Sequence, residues 1–203
     1  MLRITDRHKT ELLYGPTNEE LITDVVSKDL KSYKDFPKIL YHIQWKFRDE
    51  VRPRFGVMRC REFLMKDAYS FDASYESSYF SYCKMLVLYM KIFSSMGLNV
   101  IPVKAESGPI GGALSHEFIL ETINGETEFF YDKRILDKDL TYLNLEDKDL
   151  VIKKSEELLK IYSCTSEKHN ASSFEKNVKN ENKTKSKGIE IRYIFYFGTK
   201  YSE

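Results

Sequence analysis

Two runs of alternating apolar and charged residues, joined by a turn-prone stretch, dominate the pattern of the first third of the chain. In a strand successive side chains point to opposite faces. Gln44, Lys46, Arg48 and Glu50 therefore share one face, and Ile43, Trp45 and Phe47 the other. The charged face is expected to carry chemistry and the apolar face to meet the core. On the return run Arg59, Arg61, Phe63, Met65 and Asp67 fall together, after Pro53 and Gly56 interrupt regular pairing. An antiparallel pair would set the two basic faces side by side.

Elsewhere the pattern changes period. Thr17 precedes a helical run over 18–33 with capping-box spacing to Glu20, and Pro37 separates that run from a strand beginning near Ile39. Apolar residues recur at helical spacing from Ser74 to Met96 and stop at Gly97, a residue suited to a C-terminal cap. A strand is expected over 99–106, a glycine-bearing loop over 107–113, and strands over 114–123 and 126–131. Asn124-Gly125 between the last two is a hairpin signal. The glycine loop lacks the lysine and the glycine order of a phosphate loop. Residues 132–150 are charged and irregular, 151–162 helical, and 163–187 polar and lysine-rich, expected as a mobile connection.

Composition narrows the class. At 203 residues, 42% hydrophobic and 14% aromatic, the chain has material for one globular domain with a core. Its 32 basic and 31 acidic residues nearly cancel, so any polyanion site must be local. The three cysteines lack the spacing of zinc ligands, which predicts free thiols, no disulfide and no structural metal. The charged start does not read as a signal peptide and no apolar run reaches the ~18 residues of a membrane span, so no membrane is expected and the cytoplasm is the default.

Residues 46–67 concentrate the candidate chemistry. Arginine's planar fork matches phosphate or carboxylate oxygens, and an aromatic beside it can stack on a base. The alternative is a solvated, salt-bridged hairpin, since Asp49, Glu50, Glu62 and Asp67 offset part of the basic charge.

The order of these residues, Phe47-Arg48-Asp49-Glu50 and then Arg59, Phe63 and Asp67 at four-residue steps, resembles motif 2 of the class II aminoacyl-tRNA synthetases. With GPTNEE at 15–20, SGPIGGALSHEF at 107–118 and GIEIRYIFYFGTKYS at 188–202, the four ordered blocks resemble the bacterial prolyl-tRNA synthetase family. The resemblance implies an α+β fold with an antiparallel sheet flanked by helices. It implies ATP-dependent activation of proline to prolyl-adenylate, with Mg2+, and transfer to tRNA(Pro).

By the same resemblance Arg48 grips the α-phosphate and the amino-acid carboxylate. Glu50 lies near the adenine and its phosphates, Arg59 reaches the outer phosphates, and Phe63 stacks on adenine. Thr17 and Glu19 form the loop that recognises proline, joined by Arg48 and by Glu117, while Arg52 and Arg54 approach the tRNA acceptor end. Glu20, rather than Glu19, would close the capping box, so both readings of that loop stand together. For His116 and Glu117 the alternative is an ordinary exposed strand pair. His8, His42 and His169 are read as surface or core residues.

The resemblance further implies that residues 1–203 form a central part of the catalytic domain, truncated at both ends, with 132–187 as a reduced insertion lacking a full editing module. The family is homodimeric; motif 1, which makes much of that interface, and motif 3 are expected to lie outside the chain. Arg192 and Tyr193 stand where Gly-His is usual, Ala113 where an acidic or small polar residue is common, and Asn18 where histidine is frequent. Three functions follow: a catalytic core completed by another synthetase chain, a silent module that binds tRNA or a synthetase subunit, or an inactive fragment.

Overall fold

The computed structural model describes residues 1–54, 56, 57, 59–106 and 114–202. The glycine-bearing loop expected over 107–113, which includes Ala113, lies outside the described residues. Contacts divide the chain into two compact units, Met1–Ala73 with Tyr201–Glu203, and Ser74–Lys200.

The first unit is built from two hairpins and a helix. Strands β1 (Leu2–Thr5) and β2 (Glu11–Tyr14), which no sequence signal announced, pair antiparallel. Strands β3 (Lys38–Phe47) and β4 (Glu62–Phe71) pair antiparallel over ten residues, as the alternation predicts. Helix α1 (Glu19–Asp29) begins two residues later than Thr17. It is tied to β3 near both ends, by Asn18 Nδ2 at 3.1 Å from His42 Nε2 and by Lys38 Nζ at 2.5 Å from Asp29 Oδ2. The helix therefore runs antiparallel to β3 over the face that carries Lys38 and His42.

That placement overturns the expected assignment of the two faces. Opposed residues of a β-pair share a face, so Lys46 with Phe63 and His42 with Asp67 belong to the covered side. Lys46 is fully buried and Asp67 is 8% exposed. The apolar side faces outward, with Ile39, Tyr41, Ile43, Trp45 and Leu64 all exposed. Alternation identified the two faces correctly; hydrophobicity chose the wrong one as core, because α1 covers the charged side.

The second unit holds the hydrophobic core. Helix α2 (Tyr75–Ser95) starts at Ser74, whose hydroxyl accepts from the Ser77 amide, and ends before Gly97 at φ +74°, the left-handed conformation that glycine adopts without penalty. Strands β5 (Val100–Lys104), β6 (Leu114–Glu121), β7 (Thr127–Asp132), β8 (Ser163–Thr165) and β9 (Lys183–Tyr196) close into a ring in the order β5-β6-β9-β7-β8. A single parallel pairing, Lys104 with Cys164, closes it. Helix α3 (Lys148–Leu159) packs on α2, and α4 (Ala171–Asn177) lies between β8 and β9. Cys83, Leu86, Val87, Val103, Phe118, Ile119, Phe129 and Val151 are completely shielded. The α+β class expected from sequence stands.

Two local expectations fail here. Strands β6 and β7 are not a hairpin despite Asn124-Gly125, because β9 lies between them and pairs with both. The two glycines make room for that crossing: a Cβ on Gly125 would stand 2.4 Å from the Gly188 backbone, and one on Gly188 would stand 2.2 Å from Ile119. The polar stretch 163–187, read as a mobile connection, carries β8, α4 and the start of β9. Phe130, Tyr162, His169 and Phe174 stack around one another there and supply a local apolar contact that a composition argument averages away.

Trp45 is the only tryptophan in the chain and is 56% exposed, so its fluorescence reports the reversed face directly. Acrylamide should quench it almost as readily as it quenches free tryptophan amide. Strong protection from quencher would restore the apolar side as the core.

Candidate active site

The loop that opens α1 departs from its expected capping role. The Thr17 hydroxyl donates to the Glu19 carboxylate instead of accepting from the helix amides. Asn18 is the N-cap, yet its side chain makes no cap hydrogen bond and reaches His42. The Glu19 carbonyl accepts from Thr23 Oγ1 at 2.8 Å. Thr17 and Glu19 are thus in contact and half-buried, on either side of a buried Asn18.

Arg48 joins this loop to the hairpin. Its Nε donates to the Pro16 carbonyl at 3.3 Å, and its Cζ lies 5.3 Å from the centre of the Phe63 ring. A guanidinium has five N–H donors, and among the described residues Arg48 hydrogen-bonds through its Nε, which leaves the terminal nitrogens for an incoming oxyanion. The Arg48 amide donates to the Arg61 carbonyl at 2.8 Å, which continues the β3–β4 register by one residue beyond the strands. The Glu50 carbonyl accepts from Arg61 Nε at 3.0 Å. Arg54 and Arg59 exchange backbone hydrogen bonds at 3.0 and 3.2 Å across the exposed loop that also holds Arg52.

On the same face of the hairpin as Arg48 lies a polar cluster that sequence reasoning missed. Lys46 Nζ stands 3.1 Å from Asp67 Oδ2, which is also 3.1 Å from His42 Nε2 and accepts from the Tyr69 hydroxyl at 3.1 Å. Burial pushes the Asp67 carboxyl up, but the hydrogen bonds from Lys46, His42 and Tyr69 outweigh it and hold it below the usual carboxylate range. The same burial, with the charge of Asp67 alongside, pushes the Tyr69 phenol up. The alternation over residues 42–48 contained the signal, since His42 shares a face with Lys46, and the hairpin register sets it opposite Asp67.

Glu117 belongs to the second unit, apart from these residues in the division of the chain. It and His116 point to opposite faces of β6. His116 is 6% exposed, and its Nδ1 lies 2.5 Å from the Tyr82 hydroxyl. Burial, with Lys104 alongside, pushes its pKa down to about 4. Burial, with Glu190 and Glu167 alongside, pushes Glu117 up to about 7. The exposed-strand-pair reading fails for both. A cavity of about 510 Å3 bounded by Tyr79, Lys104, His116, Ile152 and Glu156 opens on the His116 side, away from Glu117.

A family model described as the tRNA synthetase class II core domain (G, H, P, S and T) matches residues 2–194. The chain belongs to this class II synthetase family. Similar proteins named proline–tRNA ligase include those of Afipia carboxidovorans (54% identical over 210 residues), Pelagibacter ubique (53% over 205) and Bartonella tribocorum (52% over 204). Each alignment covers 100% of this chain and 46% of the relative, so the synthetase core described here spans about half the length of the relatives it matches. A solved prolyl-tRNA synthetase from Cryptosporidium parvum, complexed with halofuginone and AMPPNP, shares 16% identity at a TM-score of 0.50. That match covers 59% of this chain and 26% of that one, a likeness of fold. Among the described residues no helix is long and apolar enough to cross a membrane.

Three charge-removal variants test this synthetase core. Asp67→Asn strips a buried ammonium of its counter-charge and is expected to cost about 3–5 kcal/mol of the stability of the first unit in urea unfolding. Replacing Lys46 and Asp67 together by apolar residues of similar size should cost far less, and equal losses would show that the pair is not coupled. Glu117 carries a folded pKa above its unfolded value, so its contribution is intact in acid and is lost as pH rises toward about 7. Glu117→Gln should therefore gain stability relative to the parent between pH 5 and pH 8, and a pH-independent difference would show that Glu117 is not withdrawn from water.

Proposed function

We propose that this chain carries proline–tRNA ligase-type chemistry, in which proline attacks the α-phosphate of ATP to give prolyl-adenylate and pyrophosphate, and the prolyl group passes to the terminal ribose of tRNA(Pro). The observation that carries this reading is the position of Arg48, whose guanidinium spans the Pro16 carbonyl beside Thr17 and Glu19 on one side and the Phe63 ring on the other. The relatives of 52–54% identity bear the name proline–tRNA ligase, which supports the substrate assignment.

In this reading Arg48 bridges the proline carboxylate and the α-phosphate, where a fixed cationic fork stabilises the charge that develops during adenylate formation. Thr17 and Glu19 receive the secondary ammonium of proline. Phe63 stacks on adenine, Glu50 stands near it, and Arg59 takes the outer phosphates. Mg2+ enters with ATP as part of the substrate. Arg52 and Arg54 contact backbone phosphates at the tRNA acceptor end, which position the RNA without reading its sequence. A cytoplasmic enzyme and the family's homodimeric state complete the reading.

A second reading, a synthetase-like module that docks on a complementing synthetase chain, is favoured by the outward apolar face of Ile39, Tyr41, Ile43, Trp45 and Leu64. Proline-dependent pyrophosphate exchange separates the two.

A thermal melt with a non-hydrolysable prolyl-adenylate analogue is the direct test, because a ligand that binds only the native state stabilises it, by about 2.7 kcal/mol at a hundredfold excess over Kd. The transition should rise with the analogue, and Arg48→Ala should abolish the rise while keeping the unliganded transition. A cooperative transition that ignores the analogue would reject the reading.

A further inference from the structure

We propose that His42 is a positioning residue that fixes the Thr17–Asn18–Glu19 loop on the hairpin, through a hydrogen bond between its ring and the Asn18 side chain. The inference rests on reading Thr17 and Glu19 as the residues that receive the amino acid, and it adds the part of the protein that holds them.

Helix capping supplies the first argument. Asparagine at an N-cap ordinarily accepts from the amides of the first turn. Here Asn18 occupies the N-cap and makes no such bond. The residue is 5% exposed and its Nδ2 stands 3.1 Å from His42 Nε2. Thr17, the other residue suited to capping, is turned to Glu19. Two capping side chains have both left the helix end, one for the neighbouring carboxylate and one for the imidazole.

The surroundings of the ring supply the second argument. Nε2 faces two donors, Asn18 Nδ2 at 3.1 Å and Lys46 Nζ at 3.5 Å, and one acceptor, Asp67 Oδ2 at 3.1 Å. That oxygen already accepts from the Lys46 ammonium and the Tyr69 hydroxyl. Nε2 therefore lies within hydrogen-bonding distance of the Asn18 side chain and of the Asp67 carboxylate at once, and the ring links the helix N-terminus to the buried pair. The ring also meets Tyr69 edge-on, with centroids 6.0 Å apart and planes at 66°. The buried Lys46–Asp67 pair and Tyr69 thus hold the imidazole, and the imidazole holds Asn18. Because Thr17 and Glu19 flank Asn18 directly, fixing its side chain fixes the direction of both neighbours.

The test combines hydrogen exchange of the 203-residue chain with calorimetric affinities for the prolyl-adenylate analogue and for ATP. His42→Leu removes the ring's hydrogen bond to Asn18. Asn18→Ser restores an ordinary N-cap while losing the reach to His42, and His42→Gln keeps an acceptor at similar reach. For the first two variants, exchange of the amides at 17–20 should rise ~10-fold and affinity for the analogue should fall ~10-fold, equivalent to 1.4 kcal/mol, with affinity for ATP unchanged. His42→Gln should stay close to the parent in all three readings.

Parental exchange in His42→Leu, or equal losses for the analogue and ATP, would overturn the proposal. So would an Asn18→Ser variant that binds the analogue as the parent does, since that result makes helix capping the only role of residue 18. If the parent chain itself binds no analogue, the amino-acid reading of the loop fails, and the exchange measurements alone decide whether His42 holds it.

Discussion

The ion pair between Lys46 and Asp67 is the constraint on which the first unit depends. Moving a charge out of water costs several kcal/mol, and an isolated buried ammonium would not persist. Lys46 is nevertheless among the most completely buried large side chains of the whole chain, and in the first unit only Val26 among the described apolar residues is comparably shielded. The unit is therefore organised around a satisfied polar cluster. Such a cluster contributes little net stability compared with an apolar core, but it discriminates sharply between arrangements. A one-residue slip of β3 against β4 would carry Lys46 to the outward face and leave Asp67 without its counter-charge.

The same constraint explains the division of labour between the units. The second unit, with its ring of five strands and the packed α2 and α3, holds the contiguous hydrophobic cluster. Each fully buried aliphatic or aromatic side chain there contributes roughly 1.5–3 kcal/mol. The first unit spends its strongest alternating pattern on a surface that remains outside. Its geometry instead comes from directional contacts: Lys46, His42 and Tyr69 on Asp67, Asn18 on His42, and Arg48 on the Pro16 carbonyl. Directional contacts suit a site that must hold donors in fixed positions, since hydrophobic packing alone specifies shape more than polarity.

Much of this was legible in the sequence, and the failures have physical causes. Helix α2 and the β3–β4 pair follow from local periodicity and capping residues, which act over a few positions and leave a direct trace. Which face of β3 is covered depends on where α1 lies, a tertiary fact that reversed the expectation from hydrophobicity. The Asn124-Gly125 turn misled for a similar reason: a local signal named the turn correctly, but a strand sixty residues later inserted beside it. The candidate site residues were read from the order of blocks, not from periodicity. His42 was passed over because a single histidine carries no spacing signal, and only the hairpin register brings it to Asp67.

The departures from the family pattern at residues 192 and 193 now separate into two different cases. Strand β9 pairs Arg192 with Phe118 and Tyr193 with Glu117, so the two substitutions fall on opposite faces. Arg192 turns toward α2, where its Nε donates to the Tyr89 hydroxyl at 2.9 Å and its guanidinium lies 5.3 Å from the centre of that ring. Its side chain is absorbed by packing on the helix side and does not share a face with Glu117. Tyr193 does share that face, directly opposite the carboxyl that burial has pushed up to about 7. Of the two residues, Tyr193 is therefore the one that faces the Glu117 carboxyl, although the arginine is the more conspicuous in the sequence.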